Sequence, residues 1–197
     1  MDDAKSIAPL DEMDRLARAF LDLKQWGFQE NVRLEKKFPI IVYQSEWCRM
    51  KFTWGGWEMT GEYTIGIDYG RLHAPPDKVY MMWNGEKCYC WHNITYALHF
   101  LDGYSPEDVA SKNYQRPRLM EQFRQSEVGQ SLKGRRHQPE WLVRMHGAIW
   151  EHYGVRLFEL FDLRRPHLWE KYCQFMKDLY DIEGRSPNIK PPLDSIC

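Results

Sequence analysis

Residues 39–93 constrain the fold more than any other stretch, because turn residues divide them into short segments of alternating polarity. Gly55-Gly56 and Asn84-Gly85 separate segments that are rich in β-branched and aromatic residues. Both pairs supply the positive φ angles that two-residue hairpin turns need. The stretch therefore predicts a four-stranded antiparallel meander that the chain enters at Pro39. The predicted strands are approximately 47–54, 62–69, 79–83 and 86–92.

Alternation within the first two strands predicts which side chains face the core. One face carries Cys48, Met50, Phe52 and Trp54 in the first strand, and Tyr63, Ile65, Ile67 and Tyr69 in the second. We expect these apolar faces to be buried. The intervening side chains, among them Lys51 and Asp68, are expected to form a mostly solvated face, as is typical of an antiparallel sheet.

The rest of the chain has helical periodicity, which predicts an α+β fold with a helical C-terminal half packed on one sheet face. A helix is expected at 10–26 and a charged connector at 28–37. Further helices are predicted at 94–101, from Ser105, at 117–131, from Pro139 to Gly154 and at 167–182, with a short apolar segment at 155–161. We expect one domain over 1–197, with an N-terminal helix and sheet at 10–93, a helical part at 94–183 and an irregular tail at 184–197.

Composition narrows the class of protein. Hydrophobic residues make up 43% of the 197, which argues against disorder, and the net charge of −1 is not that of a general polyanion binder. No apolar run approaches the roughly 20 residues that span a bilayer, and the acidic first residues lack the apolar segment of a secretory signal. Five cysteines at irregular spacings are therefore expected to be reduced thiols in a cytoplasmic protein.

The clearest charge feature is a basic segment at 111–137, which has seven cationic and two acidic residues, a net charge of +5. Arginine clusters suit phosphate and carboxylate partners. We predict an anion- or nucleic-acid-binding surface made of Arg116, Arg118, Arg124, Lys133, Arg135 and Arg136. The alternative is a solvated helix face with local ion pairs.

Metal and cofactor motifs are weak. Cys88, Cys90 and His92 alternate along one predicted strand, but strand residues two apart are separated by roughly 6.6 Å, so one zinc ion cannot easily bind all three. The alternative is that two of them bind a metal together with Cys48 or His73. The chain lacks a phosphate-binding loop, a G-x-G-x-x-G fingerprint and a G-x-S-x-G nucleophile motif. We therefore predict neither a metal nor a cofactor.

The favoured function is a non-catalytic binding or adaptor protein that contacts an acidic partner, either nucleic acid or protein. One alternative is a small metal-dependent hydrolase or nuclease-like enzyme with a site near Asp68, His73 and His92, and such a site requires these residues and Cys90 to share a pocket. Another alternative is a structural subunit of a larger assembly, since nine tryptophans are enough to form an interface as well as a core.

Overall fold

The α+β class is confirmed by a computed structural model, in which helices in the C-terminal half pack on an antiparallel sheet. The structure describes residues 11, 13, 26–35, 39–57, 62–83, 85–111, 116–131, 139–184 and 189–190.

Two sheets organise the chain. The main sheet contains β1 (Gln29–Leu34), β2 (Ile40–Gln44), β3 (Arg49–Trp57), β4 (Glu62–Gly70) and β7 (His92–Asn93). Its order is β1-β2-β3-β4-β7, and all neighbours are antiparallel. The second sheet contains β5 (Tyr80–Trp83), β6 (Glu86–Tyr89) and β8 (Ile189–Lys190), in the order β5-β6-β8. In this sheet β8 runs parallel to β6.

The prediction of a single four-stranded meander was wrong in three respects. The expected connector at 28–37 contains β1. Edge strands carry charged residues, here the exposed Glu30–Arg33 ion pair, and the sequence of β1 therefore resembles that of a loop. The second hairpin forms its own sheet. Gly55 and Gly56 do not turn the chain but continue β3, paired with Thr64 and Tyr63, because glycine is tolerated within a strand as well as in a turn.

Seven helices follow from Ile94 onward in the described residues. They are α1 (Ile94–Leu101), α2 (Pro106–Ala110), α3 (Arg118–Gln125), α4 (Glu127–Ser131), α5 (Pro139–Tyr153), α6 (Val155–Phe161) and α7 (Pro166–Glu183). The predicted start at Ser105 is confirmed, since its hydroxyl accepts from the Asp108 N–H at 3.2 Å and the Asp108 carboxylate accepts from the Ser105 N–H at 3.0 Å.

The predicted helix at 117–131 is broken into α3 and α4. Ser126 begins the second helix, because its hydroxyl accepts a hydrogen bond from the Gly129 N–H at 3.1 Å. The corner is so tight that a Cβ atom at Gly129 would lie 2.0 Å from the carbonyl oxygen of Phe123. Only glycine fits there, and the orientation of α4 relative to α3 depends on it.

Both ends of the predicted architecture lie largely outside the described residues. Of the helix expected at 10–26, the structure describes Asp11 and Met13 as helical and Trp26 as part of a turn. Met13 is fully buried in the main core. Of the tail at 184–197, it describes Gly184, which ends α7 in the left-handed conformation, and the two residues of β8.

The main sheet is covered on both faces. One face packs against the helices in a large aromatic core, to which the sheet contributes Ile41, Tyr43, Met50, Phe52, Ile67 and Tyr69. The other face packs against the segment between β4 and β7 in a smaller cluster of Ile40, Val42, Ala74, Cys88, Cys90 and Trp91. The predicted inward residues Cys48, Phe52 and Tyr69 are buried, whereas Trp54 is only half-buried. The side chain of Ile65 lies outside the described residues.

Candidate anion-binding surface

Three of the six predicted basic residues lie in the described part of the chain. Arg118 is the first residue of α3, and its backbone N–H donates to Asp102 Oδ2 at 3.1 Å. The other oxygen of Asp102 accepts from the Tyr153 hydroxyl at 2.7 Å. The guanidinium of Arg118 lies 5.8 Å from the centre of the Tyr104 ring. The start of α3 is thus anchored to α5 and to the end of α1, and Arg118 remains exposed.

Arg116 and Arg124 share one carboxylate. Their Nη1 atoms lie 3.6 Å and 3.9 Å from Glu121 Oε2. Ion pairs this long at the surface contribute little to stability, and one carboxylate offsets only one of the two charges. Arg116 is exposed and Arg124 half-buried. Lys133, Arg135 and Arg136 lie outside the described residues.

The inner side of α3 is apolar. Leu119, Met120 and Phe123 are half-buried and pack against the main core. They recur at the three- and four-residue spacing of one helix face. Burial of this apolar face leaves Arg118 exposed, whereas Arg124 is half-buried.

Asp68 is paired with a buried lysine. Lys51, directly opposite on β3, places Nζ 3.6 Å from Asp68 Oδ2 and 4.6 Å from the centre of the Trp91 ring. Burial lowers the pKa of Lys51 and raises that of Asp68, and the attraction between the two charges opposes both shifts. The expectation that Lys51 faces solvent was wrong, because Trp91 from the β4–β7 segment covers it.

The residues of the predicted hydrolase site are not brought together. Asp68 is opposite Asn93 in the pairing of β4 with β7, whereas Tyr69 is opposite His92, so Asp68 and His92 point to opposite sheet faces. His73 is exposed in the loop after β4. Cys90 lies in the smaller cluster, on the side of Asp68. The described residues contain no group of three His, Cys, Asp or Glu side chains that could hold a metal ion.

His92 is an internal residue of the aromatic core. Its ring lies 5.3 Å from that of Trp169, 5.4 Å from that of Tyr172 and 6.0 Å from that of Phe161, measured between centres. Burial lowers the pKa of His92 to about 4, although a hydrogen bond with the backbone of Tyr89 acts in the opposite direction. The imidazole is therefore neutral at pH 7.

A polar cluster that the sequence analysis missed joins three loops. Asp162, buried between α6 and α7, accepts from Arg164 Nε at 3.0 Å and forms an ion pair with its Nη2, also at 3.0 Å. The guanidinium of Arg164 lies 4.6 Å from the centre of the Trp47 ring. Arg71, fully buried, donates from Nη2 to the carbonyl oxygen of Asp162 at 3.3 Å.

These neighbours keep the carboxylate of Asp162 ionised. Burial alone would raise its pKa, but hydrogen bonds from Arg164 and the charges of Arg164 and Arg165 outweigh burial and lower it. The three loops are far apart in the sequence, so only the short spacing of Asp162 and Arg164 could have indicated part of this cluster.

Comparisons of the chain with protein-family models, with curated proteins and with solved structures found no match. None of the described helices is both long enough and apolar enough to cross a membrane.

Proposed function

We propose that the protein is a non-catalytic binding protein that holds an acidic partner on the basic surface of its helical half. This basic surface comprises Arg116, Arg118 and Arg124, together with Lys133, Arg135 and Arg136 outside the described residues. The observation that carries the proposal is the position of Arg118. Its backbone is fixed by Asp102 and its guanidinium lies over Tyr104, while the side chain stays exposed.

The chemistry of arginine suits this role. A guanidinium offers several N–H donors in a plane, which match the paired oxygens of a phosphate or carboxylate. Arg118 loses little conformational freedom on binding, because it is already positioned. The long, exposed contact of Arg116 with Glu121 can be exchanged for a partner's oxygens at small energetic cost.

The favoured acidic partner is a nucleic acid, because arginine residues along a helix follow a phosphate backbone without requiring a particular base sequence. Each phosphate contact on a duplex contributes about 0.9 to the slope of log affinity against log salt concentration. Binding to the basic surface should therefore weaken steeply as salt is added, and should vary little with base sequence.

The test compares an Arg116→Ala/Arg118→Ala variant with the parent, using a labelled duplex and a labelled single strand at two salt concentrations. We expect the variant to bind more weakly on all sequences and to reduce the salt slope on the duplex by roughly one to two. Arg135→Ala/Arg136→Ala should have the same effect. Lys171→Ala, which removes an exposed cation from α7, is the matched control and should bind as the parent does.

Two outcomes would contradict the nucleic-acid proposal. One is that the parent binds neither probe at low salt, and the other is that both double variants bind as tightly as the parent. Polyglutamate, measured in the same way, distinguishes an acidic protein partner. Binding of polyglutamate alone, lost in the double variants, would assign the basic surface to a protein.

A further inference from the structure

The second sheet has an apolar edge at β5. This strand pairs with β6 on one side, and no described strand pairs with its other side. Three large apolar side chains are exposed here, with exposed fractions of 50% for Val79, 41% for Tyr80 and 59% for Met82. An uncovered strand edge with apolar side chains is a template for pairing with another strand.

The hydrogen bonds of the hairpin show which backbone groups of β5 point outward. The Val79 carbonyl oxygen accepts from the Cys90 N–H at 2.8 Å, so these two residues form a hydrogen-bonded pair. Such pairs alternate along an antiparallel ladder, and Met81 opposite Cys88 is the next one. Tyr80 and Met82 therefore direct their N–H and C=O groups away from β6.

The edge of the main sheet at β1 has a different composition. β1, at one end of the main sheet, begins with the exposed polar residues Gln29, Glu30 and Asn31 and carries a salt bridge of 2.7 Å between Glu30 and Arg33. Charges on an edge strand oppose pairing with further strands. The four residues of β5, Tyr-Met-Met-Trp, carry no charge.

We propose that β5 pairs antiparallel with β5 of a second copy of this chain, with the two-fold axis at Met81. The outward groups are self-complementary in this register. Tyr80 lies opposite Met82 of the second copy, and Met82 opposite its Tyr80, so two hydrogen-bonded pairs form four backbone hydrogen bonds. The two small sheets become one continuous sheet, and the contact is isologous, as a two-fold dimer requires.

The charges beside β5 are compatible with this arrangement. Lys87 is opposite Met82 on β6, and its Nζ lies 4.8 Å from the centre of the Tyr80 ring. In the dimer the two copies of β5 lie between the two copies of β6. The two Lys87 side chains are then separated by three strand spacings, about 14 Å. The apolar pair of Tyr80 and Met82 lies between them, and no like charges face each other across the axis.

The experiment is sedimentation velocity on the full chain from low to several hundred micromolar. We expect the parent to form a dimer whose fraction rises with concentration. Met82→Lys brings a charge next to Tyr80 of the second copy and should shift the protein to monomer. Tyr80→Pro removes an outward donor that the hairpin does not use, and should have the same effect. Val128→Lys, at an exposed apolar position on α4, is the control and should leave the dimer unchanged.

Backbone hydrogen exchange makes the test specific to β5. The Tyr80 and Met82 amides should exchange more slowly in the parent at high concentration than at low concentration, and circular dichroism should show that the variants are folded. A parent that stays monomeric throughout would overturn the proposal. So would a dimer that survives both substitutions, or one in which these two amides are not protected.

Discussion

The two faces of the main sheet bury their polar groups in different ways. The helix-covered face contains His92 and Tyr69 among closely packed aromatic rings, and both are neutral at pH 7, since burial lowers the pKa of His92 to about 4 and raises that of Tyr69. The opposite face retains a lysine–aspartate pair, Lys51 and Asp68, beneath Trp91.

The difference follows from whether a buried ionisable group has a counter-charge beside it. Burying a charge is costly unless it is paired and hydrogen-bonded. Beneath the helices His92 is 4% exposed, so the imidazole is more stable without a charge. On the other face Lys51 is as deeply buried as His92, but it is paired with Asp68, and 28% of the Asp68 side chain contacts water. Successive side chains of the same strands therefore point alternately into an aromatic core and into one that contains a partly hydrated ion pair.

The largest expected effect is the loss of a large side chain from the helix-covered face. Phe52→Ala should lower the free energy of unfolding by roughly 3–5 kcal/mol. Val42→Ala, on the other face, removes two methyl groups and should cost about 1–2 kcal/mol. Urea denaturation of both variants measures the difference. A loss of less than about 1 kcal/mol for Phe52→Ala would mean that this face is not the main core.

Acid should destabilise the protein through its buried histidines. Burial lowers the pKa of both His92 and His146 to about 4, from 6.5 when unfolded. Between these values the unfolded state binds more protons, so the stabilisation is complete above pH 6.5 and is lost as the pH falls towards 4. At pH 5 each histidine should cost about 2 kcal/mol.

The measurement for this prediction is the free energy of unfolding at pH 7.5 and at pH 5. His92→Gln should lower stability at pH 7.5 but reduce the loss between the two pH values by about 2 kcal/mol. An unchanged pH dependence in His92→Gln would show that His92 is protonated as easily in the folded protein as in the unfolded one.

A smaller effect is expected from the ion pair on the opposite face. Asp68→Asn leaves the buried Lys51 without a counter-charge and should cost about 1–2 kcal/mol, less than a fully buried pair because Asp68 contacts water. Lys51→Met/Asp68→Leu removes both charges and should be less destabilising than Asp68→Asn alone. If the double variant is the less stable of the two, the pair contributes net stability and the contrast between the faces is weaker than we infer.

Rules that act over a few residues predicted much of this architecture. Alternating polarity identified Phe52, Ile67 and Tyr69 as core residues of an antiparallel sheet. The capping box at Ser105 and the start at Pro139 follow from the chemistry of helix ends. Arg116 and Arg118, which the charge of residues 111–137 singled out, are exposed.

Tertiary structure alone decided the features that depend on distant segments. Gly55 and Gly56 extend a strand because β4 provides a partner along its whole length, and Lys51 is buried because Trp91 lies over it. His92 and Asp68 lie on opposite faces of the main sheet because of the register in which β4 pairs with β7. The preference of a residue for helix, strand or turn is weak compared with the burial of apolar surface and the pairing of backbone groups. The sequence by itself therefore determined most of the helices and the apolar face of the central strands, and long-range pairing determined the sheet order and which polar residues meet.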